Sequence, residues 1–197
     1  MKKIKLLSKF EAYWGIIYFF LILLIAHFVW KLLLSGDEFG ASVRLLGMDI
    51  SAPFIWMSDH IARATFAILD VLGVGVRLQA GNILRHDSGG AICIVWGCTG
   101  FKQAYIYLCI IAFYRGPWRH KLWYIPLGWL LIYCFNLFRI SFITAYVGHH
   151  PEQFDFLHGF VFKYLFYGLI FLMWVVWEEV FVLKRRKKKA NKRNSFS

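Results

Sequence analysis

The chain has 197 residues, of which 59% are apolar, 20% aromatic and 17% charged. Soluble domains are about a quarter charged, so a mean hydropathy of +0.55 excludes an ordinary water-soluble fold and favours one compact membrane domain. The net charge of +12 lies wholly at the ends: Lys2, Lys3, Lys5 and Lys9 at one, and Lys184 to Lys189 with Lys192 and Arg193 at the other. Basic ends on a neutral middle are a positive-inside signal and a surface for anionic lipid, not a nucleic-acid-binding face.

The first apolar run, Tyr13 to Leu34, is too long for a signal-peptide core and has no small-x-small site before Asp37, so it reads as a retained span. Spans of about 20 apolar residues are expected at 13–34, 99–114, 122–147 and 160–183. The basic loop Arg115 to Lys121, like the Lys-rich termini, belongs on the cytoplasmic side, which requires an even number of spans. Residues 53–72 place Asp59, Arg63 and Asp70 on one helix face. They read as an outer interfacial helix with Phe54, Ile55 and Ile61 among its apolar contacts; a spanning course is the alternative. Next, Val76 to Arg85 and Ala91 to Trp96 flank an Asp87-Ser88-Gly89-Gly90 turn and read as a β-hairpin running into Cys98. The expected fold is an all-α polytopic membrane protein of about four transmembrane helices, plus the interfacial helix and the small hairpin. Residues 1–183 form a single integral membrane domain, and 184–197 a basic cytoplasmic tail.

Arg139 interrupts the third apolar run, where an ionisable residue costs about 2.5–3.5 kcal/mol and marks a functional site by default. The bland alternative is a side chain snorkelling to headgroups. Asn136, three residues earlier, shares its helix face. Cys98 lies between Gly97 and Gly100 at a strand-to-helix junction. A helix N-terminus near a cation is where a thiol ionises readily, although a small buried cysteine is the plain reading. Lys102, four residues on, faces the same side and is a weak substrate-binding candidate with Asn136. His158 precedes the last span, where the helix dipole disfavours an imidazolium and leaves the neutral base; an interfacial histidine without a role is the alternative. With this topology Arg139 lies about 12 Å before Val147 along its helix, and Cys98, Arg139 and His158 all lie toward the outer face.

Other features are plainer. Cys109 and Cys134 are expected to be packing residues, and Trp174, Trp177 and Phe181 lipid contacts. His60, His86, His149, His150, Glu152, Asp155 and His158 are candidate ligands on the outward side of this topology, but no tight ligand spacing such as His-Glu-x-x-His joins them. No metal site and no cofactor are expected.

The order Cys98-Thr-Gly, Asn136-x-x-Arg139 and His158-Gly-Phe, each at the outer end of a membrane helix, resembles the exosortase/archaeosortase family of polytopic membrane cysteine transpeptidases. The likeness covers roughly residues 90–175. It implies Cys98 as nucleophile, Arg139 as the essential arginine and His158 as third member, the histidine being the bacterial form. Two departures stand out: many members are longer with more spans, and Thr99-Gly100-Phe101-Lys102 differs from the Ser-Gly-Ile type of the longer bacterial enzymes. The resemblance further implies a bacterial inner (cytoplasmic) membrane location with the site facing outward. The partners would be exported proteins ending in a short motif, a hydrophobic helix and a basic end. Cys98 would cleave these through a thioester and pass them to an envelope acceptor. Two other readings use the same residues: a membrane thiol–disulfide carrier on Cys93 and Cys98, and a non-enzymatic assembly or lipid-binding subunit whose polar residues only join helices.

Overall fold

The computed structural model describes residues 2–37 and 42–184, with side chains from residue 13 onward. The basic tail expected at 184–197 thus lies outside the described residues except for Lys184, as do the side chains of Lys2, Lys3, Lys5 and Lys9. The protein is a polytopic helical membrane protein with two small antiparallel sheets at one end of the bundle. Three helical stretches are long and apolar enough to cross a membrane: Tyr13–Leu33, Trp118–Val147 and Pro151–Leu183. A fourth apolar helix, Phe101–Phe113, is only about 20 Å long at 1.5 Å per residue.

Helix α1 (Lys2–Leu33) runs directly into β1 (Leu34–Asp37), which pairs with β2 (Ser42–Leu45); β2 in turn pairs with β3 (Met48–Asp49). Leu46 and Gly47, both at positive φ, make the tight turn between β2 and β3. Ser51 then ties the sheet to the next helix: its Oγ accepts from Val43 N at 2.8 Å and donates to Asp49 Oδ1 at 2.5 Å. Those bonds hold the Asp49 carboxyl below its ordinary pKa. Nothing in the sequence reading anticipated this first sheet.

Helix α2 (Ser51–Val71) buries Phe54, Ser58, Ile61, Ala62, Thr65 and Leu69, a stripe at helical spacing. Arg63 and Asp70 are exposed on the opposite side, as an amphipathic helix requires, while Ile55 turns outward. The stripe packs along the half of α4 (Trp118–Val147) nearer Val147, where His60 Nε2 and Tyr133 Oη are 2.8 Å apart.

The expected hairpin is a three-stranded meander, β4 (Val76–Gln79), β5 (Ile83–His86) and β6 (Ala91–Cys93). The run Val76 to Arg85 folds back on itself because Ala80 and Gly81 both adopt positive φ, bringing Gln79 opposite Ile83. The sheet seats on the end of α4: Ser88 Oγ donates to Gly148 O, and the His86 ring lies 4.9 Å from that of His149.

Helix α3 (Phe101–Phe113) is the centre of the bundle, with Ile106, Tyr107, Ile110 and Ile111 fully buried against α1, α4 and α5 (Phe162–Trp177). At the end away from the sheets the sequence reading needs two corrections. Lys121 is not a loop charge: it lies in the first turn of α4, 3% exposed, and donates to Ala112 O and Tyr114 O at 2.7 and 2.6 Å. A cation there closes the open carbonyls at the α3 C-terminus and meets the negative end of its dipole. Trp174 and Trp177 are not lipid contacts either, being 3% and 0% exposed, and Trp177 Nε1 donates to Arg115 O at 3.0 Å. Beside them Arg115 and Glu178 form an ion pair at 2.8 Å.

Gly128 lets α4 approach α3. A Cβ there would run into the Tyr107 ring, which is fully buried and fixed by its hydroxyl donating to Tyr124 O at 2.9 Å. Gly128→Ala is therefore expected to cost about 1–3 kcal/mol through overpacking, read as a lower thermal midpoint in detergent. An unchanged midpoint would mean that Tyr107 is not held as described.

Candidate active site

Cys98 ends a single 3-10 turn, Trp96–Cys98, between β6 and α3. Its N–H donates to Val95 O at 2.8 Å, and Thr99 Oγ1 donates to Trp96 O at 2.7 Å, closing the turn. Gly100, at φ 81°, makes the bend into α3, a conformation that suits glycine because a side chain is strained there. Asn136, fully buried on α4, reaches across and donates from Nδ2 to Cys98 O at 2.8 Å. The segment carrying the thiol is thereby pinned to a membrane helix, and the half-buried sulfur has a fixed place.

His158 faces it, with Nε2 3.7 Å from Cys98 Sγ. Its setting differs from expectation. His158 does not precede a helix start; it lies in a π-helical stretch, Phe156–Val161, inside the continuous helical run from Pro151 to Leu183. Single-turn π insertions re-aim side chains and recur at functional sites. Phe154, four residues earlier, stacks on the imidazole with ring centroids 5.1 Å apart and planes 12° apart. Asp155 is its acidic neighbour.

Arg139, one turn after Asn136, is 6% exposed. Its guanidinium lies over the Phe166 ring at 5.7 Å and interacts electrostatically with both Cys98 and His158. No ion pair is formed with it among the described residues, and its Nε is buried without a hydrogen-bond partner. The three residues singled out in sequence order thus converge from three elements. Ile92, Cys93, Ile94, Ile140, Ile143 and Phe154 complete a recess of about 20 Å³ around the sulfur and imidazole, room for about one water. On the other side of Thr99 and Gly100 an apolar groove of about 490 Å³ opens between α1, α2, α3 and α4, lined by aromatic rings including Trp30, Phe54 and Trp129.

The two weaker candidates separate. Asn136 turns its amide to the Cys98 backbone, and Lys102 has Lys31 and Lys163 as its charged neighbours. Phe154 and Phe166 were missed by sequence reasoning. The spacing of four between Phe154 and His158 was the available signal for the first; nothing local marks the second. The outward histidines scatter: His86 bonds Ser88 Oγ at 2.6 Å and His150 pairs with Glu152 at 3.5 Å. Among the described residues no three such ligands gather.

A half-buried thiol and imidazole beside a buried guanidinium bring together side chains of the types that can serve as nucleophile, base and cation for developing negative charge. Archaeosortase A of Haloferax volcanii is 28% identical to the chain over 130 residues, covering 62% of this chain and 41% of that protein. The chain therefore spans less than half the length of that curated relative. No solved structure matches it. The family described as transmembrane exosortase matches residues 7–177, which include all three converging residues and nearly every described element. The chain thus belongs to the transmembrane exosortase family.

Proposed function

We propose that the protein is a membrane cysteine transpeptidase that processes C-terminal sorting signals of exported proteins. The observation that carries this reading is the Cys98 Sγ to His158 Nε2 approach of 3.7 Å, with Arg139 charged and buried beside both. Cys98 gives its proton to His158 and attacks the carbonyl carbon of the recognition motif. Arg139 faces the oxyanion that forms. Collapse breaks the C–N bond; His158 returns the proton to the departing amine, and a thioester remains on Cys98. An envelope acceptor bearing an amine or hydroxyl then gives its proton to His158, attacks the thioester and releases the thiolate.

The charge pattern supports a membrane protein with both termini in the cytoplasm and the site on the outer face, the family resemblance supports a bacterial inner membrane, and residues 1–183 are one membrane domain with 184–197 a basic tail. A substrate held by its own hydrophobic helix presents its motif at a fixed depth, which suits a nucleophile that is part of the helix bundle.

One observation favours a second reading. Cys93 lines the same recess as Cys98, as a thiol–disulfide carrier would need. Incubating the full-length protein with an exported protein bearing such a signal, then analysing peptides by mass, separates the two. The transpeptidase reading expects an acyl adduct on the Cys98 peptide, released by hydroxylamine, and undiminished processing in Cys93→Ala. A Cys93–Cys98 disulfide that accumulates during turnover, with activity lost in Cys93→Ala, would instead establish the carrier.

A further inference from the structure

Three membrane helices bring basic side chains together at the Cys98 end of the bundle. His27 and Lys31 are four residues apart and share a face of α1; Lys102 lies in the first turn of α3, and Lys163 at the start of α5. Lys102 feels the charges of Lys31 and Lys163, and His27 feels those of all three lysines. The α1–α3 contact that sets this spacing is firm, with the Trp30 ring packed on Tyr105 at 5.2 Å. His27 and Lys102 are half-buried while Lys31 and Lys163 are exposed, so the group reaches from the bundle surface inward.

Every ion pair among the described residues lies elsewhere, and none includes these four side chains. Like charges gathered at helix ends repel, and more strongly where lipid displaces water than in bulk solvent. An anion with several oxygens satisfies such a cluster, because each ammonium donates charge-assisted hydrogen bonds. The surroundings suit a lipid: Phe28 and Leu32 on α1, Phe160 in the π-helical stretch and Tyr164 on α5 are exposed apolar neighbours in sequence of Lys31 and Lys163. Charge for a headgroup and apolar surface for a chain therefore occur side by side.

We propose that Lys31, Lys102 and Lys163, with His27, form a binding site for the phosphate of an anionic phospholipid in the leaflet that meets the Cys98 end. Lys102 is the inner lysine of this site, and the other two lysines close on the phosphate from α1 and α5. The assignment does not depend on transpeptidation, and its test reads lipid, not processing.

Phosphatidylglycerol is titrated onto the full-length protein in detergent, and retained lipid is counted by native mass spectrometry. Phosphatidylcholine and inorganic phosphate serve as the other arms. Wild type is expected to retain phosphatidylglycerol at concentrations about a hundredfold below those needed by the combined variant Lys31→Gln, Lys102→Gln and Lys163→Gln, each lysine contributing roughly a factor of five. The matching Lys→Arg variant, folded and equally charged, should bind as wild type does. Lys184→Gln, at the other end of the bundle, should change nothing. Equal retention by wild type and the glutamine variant would overturn the proposal, as would an equal loss in Lys184→Gln. No preference for phosphatidylglycerol over phosphatidylcholine, with binding of inorganic phosphate alone, would overturn the lipid as the source of the anion.

Discussion

Arg139→Leu is expected to slow processing by about a thousandfold while raising the thermal midpoint of the protein. The two effects have one origin. Arg139 is 6% exposed, pairs with no carboxylate among the described residues and leaves its Nε without a partner. Its firmest contact is the face of Phe166 at 5.7 Å, and a cation–ring contact returns only about 0.5–2 kcal/mol. A cation in a membrane helix costs about 2.5–3.5 kcal/mol, so an apolar side chain of similar reach relieves the bundle. The proposed reaction loses the cation that acts on both the thiol and the imidazole. Arg139→Lys keeps the charge but not the planar fork, and should fall between, at about a hundredfold. Release of the C-terminal fragment by purified protein gives the rate, and unfolding in detergent gives the midpoint. Loss of stability together with activity would identify Arg139 as a structural cation; retained activity would remove it from the reaction.

The contrast with Lys121 shows what a charge in an apolar run does and does not reveal. Both residues are buried cations in α4. Lys121 spends its ammonium on two backbone carbonyls at the end of α3, a structural use that its place in a basic loop concealed. Arg139 leaves its Nε without a partner among the described residues, and that difference is invisible until α3 and α5 are in position. Three of the four expected spans were legible because length and apolarity alone identify them, while the run at 99–114 is the short helix Phe101–Phe113. The direction in which their side chains face was not. In a helix that is apolar all round, nothing separates the lipid side from the bundle side, so Trp174 and Trp177 read as lipid anchors although they are buried. Short strands failed for another reason: Ser42–Leu45 is four residues long, the shortest run in which alternation is recognisable. The turn at Ala80 and Gly81 hid because an alanine at positive φ carries no local signature. Cys98, Arg139 and His158 nevertheless lie near one another, since that needs only that three elements bring them to one level of the bundle. The π-helical stretch that aims His158 was beyond reach, because no sequence pattern distinguishes it from the helix it interrupts.

Asn136 supplies the second large effect, and it separates positioning from substrate contact. Its Nδ2 donates to the Cys98 carbonyl at 2.8 Å, so the amide fixes the backbone that carries the Cys98 thiol, and for a proposed nucleophile a misplacement of about 1 Å costs on the order of a hundredfold in rate. Asn136→Asp keeps the shape but places a carboxylate oxygen against a carbonyl oxygen, turning attraction into repulsion. Its rate should fall about a hundredfold, below Asn136→Ala, in which the site merely loses a bond. Lowering the pH protonates the new carboxylate and returns an O–H donor to the Cys98 carbonyl. The ratio of Asn136→Asp activity to Asn136→Ala activity should therefore rise steadily as pH falls. A substrate-binding amide would instead raise KM in both variants at every pH and show no such crossing. Rates of fragment release across a pH series, with substrate saturating and then limiting, decide between them. A ratio independent of pH would mean that the Cys98 carbonyl does not need its donor, and that the cysteine turn is held by Gly100 and Thr99 alone.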